Sequence, residues 1–479
     1  MPRLPQPGSD KGTWGEVLNE YLSEAHNADG SLKDVPQNKV TGLTASLAAK
    51  ADASSVPTTP GQVGAEPEGL STATRNGLST TFITRLGTRL RLASEHARGR
   101  TSLDLGVMSS PPTIANGSAT LDASLTKVYT ITANPTVFAT SGGEREIYST
   151  NFWIFPAVTL PNGTGGNIGN GDFNVNGWAV EFMADATKLE IRCLKGTSLR
   201  GLMIEVDGQR VQDTSIAWVS STSTMYTLLT FGSRAIRHIR VEASEFSGFR
   251  SIAVGPTDAI WNPGGDSLTM AVVGDSITAM TGASRPNGGF AKSLGKLLGI
   301  ADVREVGIGG TGMINPGTWS STFGDTHRVA DVVACSPDII VIPASPNDTA
   351  YTAAQITAAA LATYQAYRAA NPDTPIVAGG LFPGSAAASA GTIKIESAAK
   401  AAFDAWADPS SFWVSIVNDP DGPWVYGTGR VGATTGNGNA DFYVSSADTV
   451  HPSQAGHDYY ARRWAMAIER DVFPLIAAE

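Results

Sequence analysis

The feature that most constrains the fold of this chain is a change in the spacing of apolar residues near residue 268. From there on, the apolar segments LTMAVV, DVREVGI, DIIVIP, PIVAGG and FWVSIV alternate with helical patterns, which include GGFAKSLGKLLG, 352–370, 393–406 and a last helix after residue 452. Strands that are apolar on both faces and separated by helices predict a parallel sheet covered on both sides. Ligands bind at the carboxyl ends of such strands, so functional residues are expected directly after them.

Residues 109–262 follow a different pattern, in which apolar and polar residues alternate. The alternation is clear in 178–182, 189–191 and 239–243. A period of two predicts strands with one buried face. The dipeptide DG at 207–208 stands between two such segments and is typical of a tight hairpin. Many short strands divided by turns predict an all-β sandwich or jelly roll.

The first 108 residues are interpreted as an N-terminal attachment segment, 1–35, and a stalk or linker with short helices, 36–108. Apolar residues within 11–25 recur at helical spacing. Residues 40–47 contain a short heptad-like step, which is compatible with a solvated linker or with a short trimeric coiled coil. Residues 57–77 are rich in Pro, Gly and Thr, as in a linker.

Length and composition narrow the classes of function. A chain of 479 residues exceeds one ordinary hydrophobic core, which predicts more than one folded unit. The net charge of -10 gives no electrostatic reason to expect a nucleic acid partner. Neither a signal peptide nor a long apolar stretch occurs, so we expect no membrane insertion. Cys193 and Cys335 lie in different predicted domains and are expected to be buried thiols without a disulfide.

A serine follows the first strand of the predicted parallel sheet. The tetrapeptide GDSI, residues 274–277, comes directly after LTMAVV, which places the Ser276 hydroxyl at the carboxyl edge of the sheet. The similar tetrapeptide GDSL, residues 265–268, precedes the strand and would lie at its amino end. We therefore favour Ser276 as a nucleophile and interpret Ser267 as a decoy.

Three further segments place polar groups at the same edge. The glycine-rich loop 307–312 follows the second strand, and its backbone N–H groups can approach a ligand oxygen closely. Asn347 follows the third strand and offers a side-chain amide donor. Asp448 precedes His451 by three residues, just before the last helix. A carboxylate beside an imidazole fixes the tautomer that a general base needs.

In this order and at these positions, the four segments resemble the signature blocks of the SGNH (GDSL-like) hydrolases. The resemblance covers about residues 266–479 and implies a flavodoxin-like, three-layer α/β domain, which we bound at 263–479. It implies that Ser276 is the catalytic nucleophile, that His451 is the base and that Asp448 orients it.

The same resemblance implies an oxyanion hole made by the N–H groups of Ser276 and Gly310 and by the Asn347 side chain. Counting along the loop does not separate Gly310 from Gly309. Ser345 stands where the family pattern has a glycine two residues before the asparagine, and this difference is expected to reshape the pocket wall.

The remaining histidines give no reason to expect a metal or a cofactor. They are His26, His96, His238, His327 and His457. None has a second ligand at metal-binding spacing, so we predict no metal and no cofactor. His457 is expected on the surface of the last helix. The absence of a Gly-x-Ser-x-Gly motif argues against the α/β-hydrolase fold.

Two further resemblances concern the other parts of the chain. The β-rich segment, which includes GLMIEVDGQRV, resembles the N-terminal jelly roll of two-domain carbohydrate acetyl-esterases, and this implies a role in shaping a glycan-binding cleft. Trp178, Trp218 and Trp261 are candidate sugar-stacking residues, although core packing is the expected role of any single one. The first 30 or so residues resemble the N-terminal segment of tail-fibre-type proteins from phages of actinobacteria.

These resemblances imply a metal-independent serine esterase that removes small acyl groups, acetyl in particular, from a bacterial surface polysaccharide. They imply a location on a phage tail in the virion, with other tail proteins as partners and a homotrimer through the stalk. One alternative is a lipase or lysophospholipase acting on envelope lipid esters. Another is a non-catalytic receptor-binding tail protein, against which the presence of Ser276, Asp448 and His451 together argues.

Overall fold

The computed structural model describes residues 107–148, 152–159, 173–174, 176–195, 200–219, 224–244, 247–264, 268–383, 388–419, 422–425, 443–445, 448 and 450–472. The predictions for the attachment segment and for the stalk up to residue 106 lie outside the described residues. The same is true of Ser267.

Short strands and two long ones form the first part of the described chain. They are β1 (Thr113–Gly117), β2 (Lys127–Thr130), β3 (Ala139–Ser141), β4 (Glu146–Tyr148), β5 (Phe152–Ile154), β6 (Val158–Thr159), β7 (Phe173–Asn174), β8 (Gly177–Leu194), β9 (Met203–Val206), β10 (Gln209–Arg210), β11 (Thr224–Ser244), β12 (Gly248–Val254) and β13 (Ala259–Trp261). All but β6 and β7, which pair with each other, belong to one antiparallel sheet of 11 strands.

The long strands β8 and β11 organise this sheet. They pair antiparallel along most of their length, with a register shift between Thr230 and Ala235. Both halves of these strands contribute to one core, as Ile191 from one half and Val180 and Val241 from the other illustrate. The alternating sequence pattern therefore correctly predicts strands with a buried face. The jelly-roll arrangement stays a prediction.

The hairpin predicted at 207–208 is confirmed. β9 and β10 pair antiparallel, with Val206 opposite Gln209. Asp207 and Gly208 both have positive φ, 51° and 79°. Two consecutive left-handed residues are what a type I′ turn requires, which explains the preference for Asp-Gly there.

The second part of the chain contains a five-stranded parallel sheet. Its strands are β14 (Thr269–Gly274), β15 (Asp302–Gly307), β16 (Ile339–Pro343), β17 (Ile376–Gly379) and β18 (Ser411–Val414). Their order is β15-β14-β16-β17-β18. Numbered from the first strand, this is the order 2-1-3-4-5 of flavodoxin-like folds. All five predicted strands are confirmed.

Helices cover both faces of the parallel sheet. They are α1 (Phe290–Leu297), α2 (Thr326–Ala334), α3 (Ala353–Ala370), α4 (Ala390–Trp406) and α5 (Gln454–Ala467), with short 3-10 turns at Pro135–Val137, Gly317–Trp319 and Pro346–Ala350 and a π turn at Ile468–Val472. Met270 and Val272 of β14 pack in one core with α1 and α5. Ala271 and Val273 pack in the other core with α2, α3 and α4. This alternation gives the three layers that the resemblance implied.

The spacing of apolar residues in the sequence does not predict α2. The helix buries Val332 but also the guanidinium of Arg328, which weakens the apolar spacing on which a prediction depends. None of the described helices is both long and apolar enough to cross a lipid bilayer.

Polar contacts join the antiparallel sheet to the edge of the parallel sheet. The Asn176 side chain donates to the backbone oxygen of Glu305 on β15, at 2.8 Å. On α1, the Lys296 ammonium lies 2.6 Å from the Glu205 carboxylate and 2.8 Å from that of Glu242. Because these ionic groups are largely buried, removal of one partner would leave an uncompensated charge.

Candidate active site

A sharp turn after β14 holds the side chain of Ser276 at the carboxyl edge of the sheet. The strand ends at Gly274, where an added Cβ would lie 1.9 Å from Thr278 Oγ1, so a side chain does not fit. Asp275 is buried, and its Oδ1 accepts the backbone N–H of Ile277 at 2.8 Å. Ser276 is partly exposed in this turn.

The structure brings Ser276, His451 and Asp448 together. His451 Nε2 lies 2.8 Å from Ser276 Oγ, and His451 Nδ1 lies 2.7 Å from Asp448 Oδ2. The other oxygen of Asp448 accepts the backbone N–H groups of Val450 and His451, at 3.0 and 3.1 Å. The three side chains form one hydrogen-bonded series, although Ser276 and His451 are far apart in the sequence.

The environment of Asp448 keeps it ionised. Partial burial raises the pKa of this carboxyl, but hydrogen bonds from two backbone N–H groups and from the His451 ring outweigh burial and hold the pKa below its usual value. An ionised Asp448 accepts the Nδ1 proton of His451. The Nε2 lone pair then faces the Ser276 hydroxyl, which is the arrangement of a general base.

Backbone donors for a developing oxyanion lie beside this series. In the described part of the chain, the N–H groups of Ser276, Gly309 and Gly310 donate to no protein acceptor. Gly310 has a φ of 78°, a backbone conformation that favours glycine. An added Cβ at Gly309 would lie 3.7 Å from Ser276 Cβ, whereas one at Gly310 would meet no atom within 4 Å. Both glycines remain candidates for the second donor.

Asn347 lies in the turn after β16. Its Nδ2 donates to the backbone oxygen of Thr311 at 2.9 Å. A side-chain amide has two N–H donors, and among the described residues no protein acceptor takes the second one. This N–H is therefore available to a ligand oxygen.

Asp348 supports the glycine-rich loop. Its carboxylate accepts the backbone N–H groups of Met313, Ile314 and Asn315, at 2.9, 3.3 and 2.9 Å. Three donors on one carboxylate fix the loop that follows β15. Asp348 was not among the residues predicted from the sequence.

Arg328 is a second supporting residue that the sequence analysis missed. Its buried guanidinium donates to the backbone oxygens of Gly274 and Val306 and to Thr311 Oγ1. These acceptors lie at or beside the carboxyl ends of β14 and β15. Arg328 therefore joins the two strand ends from which the candidate site is built.

The prediction for His457 is wrong. This residue of α5 is fully buried rather than on the surface. Its Nδ1 accepts the backbone N–H of Phe290 at 3.1 Å, and its Nε2 donates to the backbone oxygen of Thr281 at 2.9 Å. Arg200 of the β-rich part donates to the backbone oxygen of Ala283 at 2.8 Å in the same loop. The loop that follows the nucleophile turn is thus held from two sides.

The other described histidines and the cysteines considered in the sequence lie outside the candidate site. His238 pairs with Glu181 at 2.9 Å, and His327 contacts Ser321 Oγ at 2.9 Å. Both cysteines are free, but Cys335 is only partly buried, contrary to the expectation.

The three candidate tryptophans differ in exposure. Trp178 is fully buried and stacks on Phe155, so it packs in the core and cannot contact a sugar. Trp218 is partly buried against the β-rich core, and Trp261 is 38% exposed. Only the last therefore presents a substantial surface to solvent.

Within the described part of the chain, no group of three or more His, Cys, Asp or Glu side chains is arranged so that it could hold a metal ion. The candidate site consists of a hydroxyl, an imidazole, a carboxylate and N–H donors.

Residues 272–459, which include all five candidate site residues, match the model of the GDSL-like Lipase/Acylhydrolase family. The chain contains a GDSL-like SGNH hydrolase domain. The match to this family supports an esterase activity for the domain. A search of curated proteins finds no match to the sequence.

Solved structures share the fold of the GDSL-like domain together with further parts of the chain. The salicylyl-acyltransferase SsfX3 from a tetracycline biosynthetic pathway is 13% identical with a TM-score of 0.55, and the match covers 74% of this chain and 100% of that chain. A family two carbohydrate esterase from Cellvibrio japonicus is 12% identical with a TM-score of 0.51, covering 76% and 100%. Both matches extend well beyond the GDSL-like domain.

Proposed function

We propose that this chain is a serine esterase that removes small acyl groups, acetyl in particular, from a polysaccharide of the bacterial surface. The observation that carries the proposal is the hydrogen-bonded series of Ser276, His451 and Asp448. A serine hydroxyl is a weak nucleophile, and an adjacent, oriented imidazole activates it.

In the first half of the reaction, Ser276 Oγ attacks the carbonyl carbon of the ester while His451 Nε2 takes the hydroxyl proton. The carbonyl oxygen becomes negatively charged and is stabilised by N–H donors of Ser276, the glycine loop and Asn347. The carbon–oxygen bond to the sugar then breaks. His451 returns the proton to the departing sugar oxygen, and the acyl group remains on Ser276.

In the second half, water replaces the sugar hydroxyl. His451 takes a proton from the water as it attacks the acyl carbon, and the same donors stabilise the second oxyanion. When the bond to Ser276 Oγ breaks, His451 returns the proton to the serine. The carboxylic acid leaves, and the site is restored without a metal or a cofactor.

Two considerations support a glycan ester as substrate and a virion as location. One structural neighbour is a carbohydrate esterase by its name, and Trp261 offers a partly exposed ring in the β-rich part. The resemblance of the first 30 or so residues to phage tail-fibre proteins supports attachment to a tail at the host surface, alongside other tail proteins. A homotrimeric stalk would increase residence on a repetitive glycan.

Ser276→Ala tests the nucleophile, with Ser267→Ala as the matched control. We expect the first variant to lose ester hydrolysis by on the order of 10⁴-fold or more and the second to retain it, because Ser267 precedes β14. Rates on nitrophenyl acetate give the readout. Equal losses in both variants would contradict the assignment.

The acyl group is tested with nitrophenyl esters of increasing chain length and by acetate release from host envelope polysaccharide. We expect the highest kcat/KM for acetate esters and Ser276-dependent acetate release from the glycan. A preference for long acyl chains would instead support a lipase or lysophospholipase. Glycan binding without any hydrolysis would support a receptor-binding protein.

A further inference from the structure

The hydroxyl of Ser345 lies where the three loops of the candidate site meet. Ser345 is fully buried in the turn after β16. Its Oγ donates to Asp275 Oδ2 at 2.6 Å and lies 3.0 Å from the backbone oxygen of Thr311. The same Oγ accepts the backbone N–H of Asn347 at 3.2 Å.

Each of these contacts is next to a group that the proposed reaction uses. Asp275 directly precedes the nucleophile Ser276 and is buried in the turn after β14. Thr311 directly follows Gly310, and its backbone oxygen also accepts Asn347 Nδ2 at 2.9 Å. One side chain therefore contacts all three segments that supply candidate oxyanion donors.

We propose that Ser345 is a positioning residue that fixes the oxyanion donors relative to Ser276. The inference rests on the proposed esterase function. Ser345 does not touch the reacting atoms. It acts through Asp275, whose turn presents the Ser276 N–H, and through Asn347, whose side chain supplies the third donor.

The hydrogen bonds of the Ser345 hydroxyl explain why the position of the oxyanion donors depends on it. A serine hydroxyl has one proton to donate and lone pairs with which to accept. The short contact to Asp275 Oδ2, at 2.6 Å, takes the proton, and the hydroxyl oxygen accepts the backbone N–H of Asn347. Without the hydroxyl, the Asp275 side chain keeps only the Ile277 N–H as a hydrogen-bond donor among the described residues. The backbone N–H of Asn347 loses its acceptor.

The principal test compares Ser345→Ala with the wild-type chain on nitrophenyl acetate. Displacement of oxyanion donors acts on the transition state more than on the bound ester, so we expect kcat to fall by about tenfold or more with KM within about twofold. An unchanged kcat, or a change confined to KM, overturns the proposal.

Ser411→Ala is the matched control. Ser411 is also buried and donates to an aspartate, Asp408, at 2.5 Å, but it begins β18 and so lies at the amino edge of the sheet. Its loss should lower the temperature of unfolding without lowering kcat. Similar losses of kcat in both variants would mean that Ser345 is merely structural.

Ser345→Gly provides a second variant that cannot create a clash. It leaves a small polar space bounded by Asp275, Thr311 and Asn347, which is enough partners for a water to replace the hydroxyl. We therefore expect a kcat between those of the wild type and Ser345→Ala. Equal kcat in all three proteins overturns the proposal even if the alanine variant is hard to fold.

A double-mutant cycle with Asn347→Ala separates positioning from a general loss of packing. If Ser345 acts partly through Asn347, the fold-loss from Ser345→Ala is smaller when Asn347 is already alanine. If the fold-loss of kcat in the double variant equals the product of the two single fold-losses, Ser345 does not act through Asn347.

Ser276→Ala separates the proposed function from the role of Ser345. Activity that survives Ser276→Ala refutes the esterase mechanism, whereas an inactive Ser276→Ala beside a fully active Ser345→Ala refutes only the role of Ser345.

Discussion

Acidification should destabilise this protein through His457, which is buried on α5 and hydrogen-bonded at both ring nitrogens. Nδ1 accepts the N–H of Phe290 and Nε2 donates to the backbone oxygen of Thr281. A second ring proton would face the Phe290 N–H. Burial lowers the pKa of His457 from 6.5 to about 4.

The sign and size of the effect follow from that shift. Between pH 6.5 and pH 4 the unfolded chain binds a proton at His457 and the folded chain does not. The contribution to stability is therefore present above pH 6.5 and is lost as the pH falls through this window. Between pH 8 and pH 5, the loss in the free energy of unfolding is about 2 kcal/mol.

Glu305 acts in the opposite direction over the same range. Burial, opposed by the charge of Lys292, raises the pKa of this carboxyl to about 7. The folded state then holds a proton that the unfolded state has lost, so stability from Glu305 decreases as the pH rises. The pH dependence of the wild type alone does not isolate His457.

A comparison with His457→Gln isolates it, because glutamine keeps an N–H donor for Thr281 but does not titrate. The variant should be less stable at pH 8 by about 1–3 kcal/mol, since the Phe290 N–H loses its acceptor. Urea unfolding followed by tryptophan fluorescence gives the free energies at pH 8 and pH 5. We expect the free energy of unfolding of the wild type minus that of the variant to decrease by about 2 kcal/mol from pH 8 to pH 5. The same difference, with the same sign, at both pH values would refute a neutral, buried His457.

Asn347→Ala should lower kcat by about a hundred- to a thousandfold with little change in unfolding temperature, as for one lost oxyanion donor; a small kinetic effect would make Asn347 structural. Asp448→Asn should lower kcat by about 10⁴-fold because the wrong His451 tautomer is favoured, and wild-type rates would refute the role of Asp448 in orienting His451. Ester hydrolysis should survive chelators, and a metal-reversible loss would contradict the mechanism. Deletion of residues 1–108 should leave an active enzyme. Light scattering should show a trimer only in the full chain, and a full-length monomer would refute the stalk.

The strands of the parallel sheet and the positions of the candidate triad could be predicted because both depend on local pattern. Short apolar runs mark buried strands, and residues directly after parallel strands meet at one edge. Ser276 follows β14 by two residues, and Asn347 follows β16 by four. Asp448 and His451 needed only their own spacing to be recognised as a pair.

The supporting residues could not be predicted in this way, because their partners are distant in the sequence. The acceptors of Arg328 include Gly274, which is 54 residues away, and Ser345 donates to Asp275 across 70 residues. His457 lies in the polar-looking segment QAGHDYY, where nothing local distinguishes a buried imidazole from an exposed one. Burial of such groups is tolerated only when the fold supplies their hydrogen bonds, and those partners become visible only in three dimensions.

The sequence does not distinguish Gly309 from Gly310 as the second oxyanion donor. Spacing can place a glycine-rich loop after β15, but it does not determine which N–H points toward Ser276. A positive φ reverses the local direction of the backbone, and Gly310 adopts one at 78°. Even with both N–H groups free of protein acceptors, the donor is decided by the position of the oxyanion itself.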